Sequence, residues 1–459
     1  MNNSFEQIKN LKRIHFIGIG GSGMYGIAEV LLNLGCTVSG SDLIQNTITK
    51  RLKSLGVKIY SNHSISNLKN VDLVVFSNAI NKNNPEIQFA KKNKITVIPR
   101  AKMLAELMRF KYGITVAGSH GKSTTTSLIS WILAESNLDP TYIVGGKLKT
   151  SNNHGKLGYG KYLIAEADES DSSFLYLSPQ LGVVTNIDKE HLDNYQNNFE
   201  NLKQAYIDYI NNIPFYGRVF LNGDDKNTKS IMKKTNRSIT TFGLKQNNDY
   251  FSTDIVYQKN GMSFLINDKN STHKIKTKLF GKHNILNILA SFSVASYLKI
   301  PIEKIIKAIK KFEGITRRFD IYYNFQSKFG EYTLINDYGH HPTEINFTLD
   351  TIKEVWKNQK ICMIFQPHRY SRTENCIDQF IQVLSNVEKV IITETYSGGE
   401  QKTKFTSYYL YKKLKENHVN CVYVKEIKKI PQKLKSLFEK EDIVLVQGAG
   451  NISQVIKLL

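Results

Sequence analysis

Two glycine loops, each set between an apolar run and a helical run, are the residues here whose spacing most readily suits chemistry. The first is Gly18-Ile19-Gly20-Gly21-Ser22-Gly23. Glycines let a backbone approach a pyrophosphate, and the helix N-terminus behind them offers it unpaired N–H groups. Asp42, about twenty residues on, ends the next apolar run, where a carboxylate can meet a ribose hydroxyl. NAD or FAD binding is the commoner meaning of such a loop, and a glycine turn without a ligand is the plain alternative.

The second loop is Val116-Ala117-Gly118-Ser119-His120-Gly121-Lys122-Ser123, with Thr124 opening the helical run behind it. It has the GKS end of a phosphate-binding loop but not the full GxxxxGKS pattern, because Val116 stands where the first glycine would be. The shorter span keeps the mechanics. Backbone N–H groups cradle phosphate, Lys122 neutralises the β/γ oxygens, and the Ser123 hydroxyl can ligate Mg2+.

Further along, Glu166 follows the apolar run Tyr162–Ala165 in the segment EADESD. An acid at the carboxyl end of a strand beside a phosphate loop suits Mg2+. His191, in NIDKEHLD, could hold a second metal or the transferring phosphate, although a lone histidine is more often structural. The last third carries Asp337-Tyr338-Gly339-His340-His341-Pro342-Thr343-Glu344 and Gln366-Pro367-His368-Arg369-Tyr370-Ser371-Arg372, each after an apolar run. Arginine pairs suit carboxylate and phosphate, which accept forked hydrogen bonds. No third and fourth ligand stands near the paired histidines at zinc spacing, so a zinc site is not expected.

Strands and helices must aim these groups. Ile14–Ile19, Thr37–Ser39 and Val71–Ser77 read as strands alternating with helices, which implies a parallel, doubly wound sheet. The pattern restarts near residue 110 with Ile114–Ala117, the helix Thr124–Glu135, and strands Tyr162–Ala165 and Leu181–Asn186. A second break follows Gly314-Ile315-Thr316. Beyond it, Tyr332–Asn336, Ile361–Phe365, Lys389–Thr393 and Asp442–Gln447 read as strands. The expectation is three α/β domains: a Rossmann-like domain over 1–110, a central phosphate-loop ATPase-like domain over 111–318 and a Rossmann-like domain over 319–459.

The 459 residues are 41% hydrophobic and 22% charged, the balance of a folded globular chain. The formal charge of +22 fits either an anionic partner or a composition biased to Lys, Asn and Ile, and the lysines are dispersed rather than striped. The four cysteines form no CxxC pair, so neither a disulfide framework nor a zinc ribbon is expected. There is no run of about twenty apolar residues, and MNNSFEQIKN lacks the basic start and apolar core of a signal peptide. A cytoplasmic location is the expectation, with no membrane insertion and no nucleic-acid partner.

Together these segments resemble the Mur ligases, over nearly the whole chain. AGSHGKSTTT, EADESDSSF, TNIDKEHLD and FGKHNILNILA resemble the ligase superfamily, while HFIGIGGSGM, DYGHHPTEI and FQPHRYSRT resemble its alanine-adding branch. The resemblance implies an ATP- and Mg2+-dependent ligase that joins L-alanine to UDP-N-acetylmuramate through an acyl phosphate, in the first amino-acid addition of peptidoglycan precursor synthesis. A related alternative is the recycling ligase that adds a tripeptide to the same sugar nucleotide. The first loop then serves the UDP-sugar rather than NAD, through Gly18, Gly20, Gly21, Gly23 and Asp42, with His63 and Ser77 in the same pocket. ATP falls to Gly118, Ser119, His120, Gly121, Lys122, Ser123 and Thr124, with Asn284 and Asn287 at adenine and Arg318 and Asp337 near the phosphates and ribose. Ser123, Glu166 and His191 match metal positions. Tyr338, His341, Arg369 and Arg372 match the incoming amino acid's site, and Lys122, Glu166, His191 and Arg372 carry the catalytic roles. A monomer or weak homodimer is implied.

The sequence also departs from the family pattern. Ser119 and Ser123 replace threonines but keep a hydroxyl, LDNYQNN replaces an MDTYGG-like loop, and Asn451 stands where an acid is usual. A dehydrogenase would need a hydride-transfer site that no segment supplies. A nucleic-acid ATPase would rest on the charge and the phosphate loop alone.

Overall fold

The computed structural model describes residues 12–145, 149, 155–328, 330–437 and 443–459. The opening MNNSFEQIKN and Asp442 lie outside them. The described residues form an α/β protein with three sheets.

The first sheet is β1 (Arg13–Ile17), β2 (Thr37–Ser41), β3 (Lys58–Tyr60), β4 (Leu73–Phe76) and β5 (Thr96–Pro99). All pairs are parallel and the order is β3-β2-β1-β4-β5. Helices cover both faces, so β1 is buried on both sides from Ile14 to Ile17, apolar except for His15. The strand order reverses at β1, which makes the crevice beyond β1 and β4 the natural ligand position. Gly18–Gly23 opens there.

The second sheet is built around β6 (Tyr112–Ala117), which pairs in parallel with Leu181–Val184 on one side and Tyr162–Glu166 on the other. The second glycine loop follows β6 and leads into the helix Lys122–Glu135. The third sheet has the order Asp320–Ser327, Gly330–Asp337, Ile443–Gln447, Ile361–Phe365, Lys389–Thr393 and Cys421–Val424, parallel apart from its first pair.

The chain divides into two compact units. One runs up to Val256 with Gly261–Leu279 and Asn284–Ile315; the other is Tyr257–Asn260, Phe280–His283 and Thr316–Leu459. The first unit holds two sheets around one shared apolar core. Met103, Leu104 and Leu107 of the helix Arg100–Met108 share one apolar cluster with Phe16 and Val75 of the first sheet and with Phe174 and Tyr206, on the helical segments Ser173–Tyr176 and Phe199–Asn211 beside the second. Cys36 in the first unit and Cys362, Cys376 and Cys421 in the second are free thiols, all buried. Among the described residues no helix is long and apolar enough to cross a membrane.

Candidate active site

The phosphate loop of the first unit is fixed from beneath. Gly118 has φ +131°, and a Cβ there would meet Thr185 Oγ1 at 2.1 Å, so no other residue fits. Thr185 donates to the His120 carbonyl at 2.6 Å, and Asn186 Oδ1 accepts the His120 N–H at 2.9 Å. Ser119 Oγ accepts the Asp188 N–H at 2.8 Å. His120 Nε2 lies 3.2 Å from Asp188 Oδ2. The loop backbone is therefore set by the strand Leu181–Val184 and the residues after it.

Lys122 opens the helix and folds back over the loop. Its ammonium donates to Gly118 O at 2.7 Å and to the two oxygens of Glu169 at 2.8 and 2.7 Å. Glu169 is 1% exposed. Burial pushes its carboxyl up, Lys122 pulls it down and Asp168 repels it, leaving it at about 7. The lysine stays protonated, because Glu169, Asp168 and Glu166 together outweigh its own burial. Ser123, the next residue, hydrogen-bonds Glu166, which also accepts the Gly145 N–H at 2.6 Å. Burial pushes the Glu166 carboxyl above its usual value.

The same acidic segment reaches toward the first glycine loop. Arg100 Nη2 lies 3.8 Å from both Asp168 and Asp171, and a Cβ on Gly23 would meet Arg100 Nη1 at 2.9 Å. Asn78 donates to Asp171 at 2.5 Å. One guanidinium thus stands between the helix start after the first loop and the acids beside the second. In the first loop itself, Asp42 accepts the Gly20 N–H at 2.8 Å and the Ile44 N–H at 2.9 Å, so its carboxylate shapes the loop. Ser77 lies against Gly18, whose added Cβ would meet Ser77 Cβ at 3.2 Å. His63 Nδ1 contacts Ser41 Oγ at 2.9 Å and Glu86 Oε2 at 3.1 Å.

Asn284 and Asn287 lie buried on the helix Lys282–Tyr297. Asn287 Oδ1 accepts the Thr125 hydroxyl at 3.1 Å and is 2.5 Å from a Cβ placed on Gly121, so it packs under the loop's turn. His191 has φ +56° and its Nε2 lies 3.6 Å from Glu190 Oε2.

In the second unit, Arg317 and Arg318 each stand 5.0 Å from the Tyr338 ring centre. The His340 ring meets Tyr338 at 5.6 Å and His368 at 5.3 Å, and His368 stacks on Tyr396 at 5.5 Å. Arg372 Nη1 reaches His368 Nδ1 at 3.3 Å and its carbonyl at 3.2 Å. Burial, with Arg372 and Arg369 nearby, lowers His368 to about 4, and burial holds His340 well below its usual value. Both rings are neutral at neutral pH, so the arginines carry the positive charge of the cluster. Arg369 adopts φ +69°, and its buried Nε has no hydrogen-bond partner among the described residues.

Two further residues of the sequence reading have internal partners in this unit. His341 caps the helix Pro342–Val355, with Nδ1 accepting the Thr343 N–H at 3.3 Å and Nε2 3.6 Å from Cys376 Sγ. His340, not His341, is the ring beside Tyr338 and His368. Asp337 accepts from Phe319 N at 2.9 Å, Gly339 N at 2.9 Å, Gln447 Nε2 at 2.8 Å and Thr348 Oγ1 at 3.2 Å. Four donors of its own unit occupy that carboxylate, which makes it a brace for the loop after its strand. Asn451 pairs with Gln366 at 2.9 Å, so the missing acid is replaced by an amide contact.

Sequence reasoning missed Arg100, Glu169, Glu86, His340 and His368. The histidines could have been flagged, since each follows a strand in a quoted segment. Glu169 lies in the quoted segment EADESD, while Arg100 and Glu86 carry no local motif.

In the first unit, a phosphate loop whose lysine and serine meet buried acids at a neighbouring strand end is the arrangement of a nucleotide-binding, phosphoryl-transferring α/β enzyme. Three family models cover the chain: the Mur ligase family catalytic domain over 13–112, the Mur ligase middle domain over 116–295, and the Mur ligase glutamate ligase domain over 317–450. The chain belongs to the Mur ligase family. It is 45% identical over 452 residues to UDP-N-acetylmuramate–L-alanine ligase of Hydrogenovibrio crunogenus, covering 97% of this chain and 98% of that one. It is 44% identical over 471 residues to the enzyme of the same name from Wigglesworthia glossinidia brevipalpis, covering 100% and 99%. The crystal structure of UDP-N-acetylmuramate-alanine ligase from Thermotoga maritima superposes with a TM-score of 0.82 at 27% identity, covering 97% of each chain.

Proposed function

We propose that this chain couples ATP cleavage to amide formation, joining L-alanine to the lactoyl carboxylate of UDP-N-acetylmuramate. The observation that carries the reading is the acidic segment Glu166–Asp171. It meets the phosphate loop through Lys122 and Ser123 and the first glycine loop through Arg100. The substrates come from the relatives, 41–45% identical over nearly their full length and named for this reaction.

In the first step the lactoyl carboxylate attacks the γ-phosphorus of ATP. The bond to the bridging oxygen breaks, ADP leaves, and an acyl phosphate remains. Two anions must approach, and Lys122 offsets their repulsion. The alanine amine then attacks the acyl carbon and inorganic phosphate departs. Positioning does most of the work, since no covalent bond to the protein is needed. Arg369 and Arg372 are the candidates for the alanine carboxylate, with Tyr338 and His340 beside them. Asn284, Asn287 and Arg318 are kept as candidates for the nucleotide.

Ser123 Oγ and Glu166 offer hard oxygen donors in hydrogen-bond contact with each other, a set that fits Mg2+. When bound there, the ion would neutralise charge on phosphate oxygens. His191 remains a candidate for the phosphate or a second ion. A cytoplasmic enzyme, monomeric or weakly dimeric, accords with this reading.

The test is phosphate release from ATP with UDP-N-acetylmuramate, adding alanine, glycine, serine or the tripeptide in turn. The expected result is release that needs both the sugar nucleotide and alanine and stops in Lys122→Ala. Release with tripeptide but not alanine would overturn the substrate, and release indifferent to the sugar nucleotide would overturn the role of the first loop.

A further inference from the structure

A carboxylate sits at the centre of the first sheet's carboxyl edge with no solvent around it. Glu86 is fully buried. It lies in the first turn of the helix Pro85–Lys92, whose start is capped by Asn84 accepting the Glu86 N–H at 2.9 Å. A helix N-terminus favours negative charge there. Its side chain gathers partners from three other elements. Ser41, ending β2, donates to Oε2 at 2.6 Å. Asn67 donates to Oε1 at 2.8 Å. His15, on β1, brings Nε2 to 3.4 Å from Oε1, without hydrogen-bond alignment. His63, after β3, brings Nδ1 to 3.1 Å from Oε2. Burial opposes the charge, yet His15, Ser41 and Asn67 outweigh it and hold the carboxyl below its usual value.

A brace of this kind could serve the fold alone. Two features point to more. His15, Ser41 and Asn67 are buried. His63 is the partner that reaches solvent, with 13% of its side chain exposed, and it stands at the strand edge that carries Gly18–Gly23 and Asp42. Ser41 is also the residue before Asp42, and its carbonyl accepts the Gly18 N–H at 2.8 Å, so the hub and the glycine loop share one strand end.

The proton positions follow from the donors. The Ser41 hydroxyl proton is spent on Glu86, so Ser41 Oγ faces His63 as an acceptor. Glu86 is an acceptor as well. Both neighbours of His63 Nδ1 therefore call for a proton on Nδ1. Nε2 is then an acceptor in the neutral ring and a donor in the imidazolium. It has no hydrogen-bond partner among the described residues.

We propose that Glu86 is a positioning residue for the sugar nucleotide: with Ser41 it locks His63 through Nδ1–H, so that Nε2 is presented to the ligand at the first glycine loop. The proposal rests on the reading of that loop as the UDP-sugar site and adds a residue that does not itself touch the ligand. The groups facing His63 are Glu86 from its helix, Ser41 from β2 and, across Glu86, His15 from β1 and Asn67. Among them only Glu86 supplies negative charge.

The experiment is a double-mutant cycle on steady-state kinetics. Glu86→Gln keeps the shape and removes the charge, and should raise KM for UDP-N-acetylmuramate about tenfold, the effect of losing one charge-assisted contact, with KM for ATP nearly unchanged. His63→Ala should raise the same KM, and the double variant should be no worse than His63→Ala alone, because Glu86 acts through that ring. An undiminished Glu86→Gln effect on the His63→Ala background, or equal rises in both KM values, would overturn the proposal. Should Glu86→Gln fail to fold, nitrogen NMR of histidine-labelled wild type decides. The expected spectrum shows His63 protonated at Nδ1, with Nε2 shifting on addition of UDP-N-acetylmuramate. The opposite tautomer, or no shift, would refute it. If wild-type turnover did not need the sugar nucleotide, the loop reading would fall; turnover that needs it while His63 stays silent would remove only this inference.

Discussion

Lys122 and Glu169 form a closed pair: both carboxylate oxygens lie within 2.8 Å of the ammonium, and Gly118 O takes its third proton. The lysine that a phosphate would recruit is thus also the partner of a buried carboxylate. The carboxylate holds a long, flexible side chain over the loop, and a nucleotide phosphate would have to share or displace it.

Removing that competitor should separate binding from turnover. In Glu169→Gln, nucleotide binding should tighten by roughly threefold to tenfold, while kcat falls because the lysine is less well aligned. Glu169 titrates at about 7, so wild-type affinity for ATP should decline as pH rises through that value and the pair closes. The variant should lose that decline. Calorimetry with a non-hydrolysable ATP analogue between pH 6 and 8 reads both effects; equal affinity for the two proteins at every pH would refute the competition.

Arg100 stands between Gly23 and the acids Asp168 and Asp171. Truncation in Arg100→Ala should raise KM for the sugar nucleotide and lower kcat, by about tenfold in kcat/KM, since the positive charge facing Asp168 and Asp171 is lost. Arg100→Lys should recover part of the loss, because one Nη atom at 3.8 Å from both acids makes a charge contact rather than a forked hydrogen bond. Steady-state kinetics with each substrate varied in turn checks this.

The adjacent histidines of the second unit should behave differently. His341→Ala removes a helix cap and should cost about 1 kcal/mol in unfolding, with KM for alanine little changed. His340→Ala leaves the cap in place and opens the ring cluster at Tyr338 and His368. It should raise KM for alanine with a small change in melting temperature. Thermal unfolding and alanine titration together separate the two.

Neutral buried imidazoles make the second unit sensitive to acid. His368 and His283 are each lowered to about 4, chiefly by burial, from a usual value near 6.5. A depressed histidine gives stability that is present above its unfolded value and lost as pH falls through its folded value. Stability should therefore fall between about pH 6.5 and 4, by at most about 3 kcal/mol per ring. Denaturant unfolding followed against pH should show that slope, and His368→Gln should reduce it.

What could be seen in the sequence was whatever is contiguous. Gly118–Ser123 carries its loop, its lysine and its hydroxyl in one stretch, and the alternation around Ile14 and Val71 already implies a parallel sheet. Glu169 sits in a quoted segment that does not say which of its acids meets the lysine, and Arg100 has no local mark. Their meaning comes from reaching across to a loop distant in the chain, and an acid in EADESD looks the same whether it faces a lysine or solvent. The paired histidines show the same limit. Which ring turns to the cluster depends on where the helix after Pro342 begins, and the capping role falls to His341. The resemblance implies a place for Asp337 near the nucleotide, while the donors it accepts from in the structure are Phe319, Gly339, Thr348 and Gln447, which no spacing rule connects. The two sheets of the first unit read as separate patterns, while the core joining them depends on Met103, Leu104 and Leu107 packing both ways.

The buried cysteines give the chain its own stopwatch. A thiol shut inside a core reacts with an alkylating reagent only when that core opens. Cys36 times the opening of the first unit, and Cys362, Cys376 and Cys421 time the second. Because the two groups reside in different units, mass spectrometry of alkylated peptides resolves their opening rates in one sample, without an added label. Nucleotide should slow the clock at Cys36, and the difference between bound and free rates would report how far the ligand stabilises the unit that holds its phosphates.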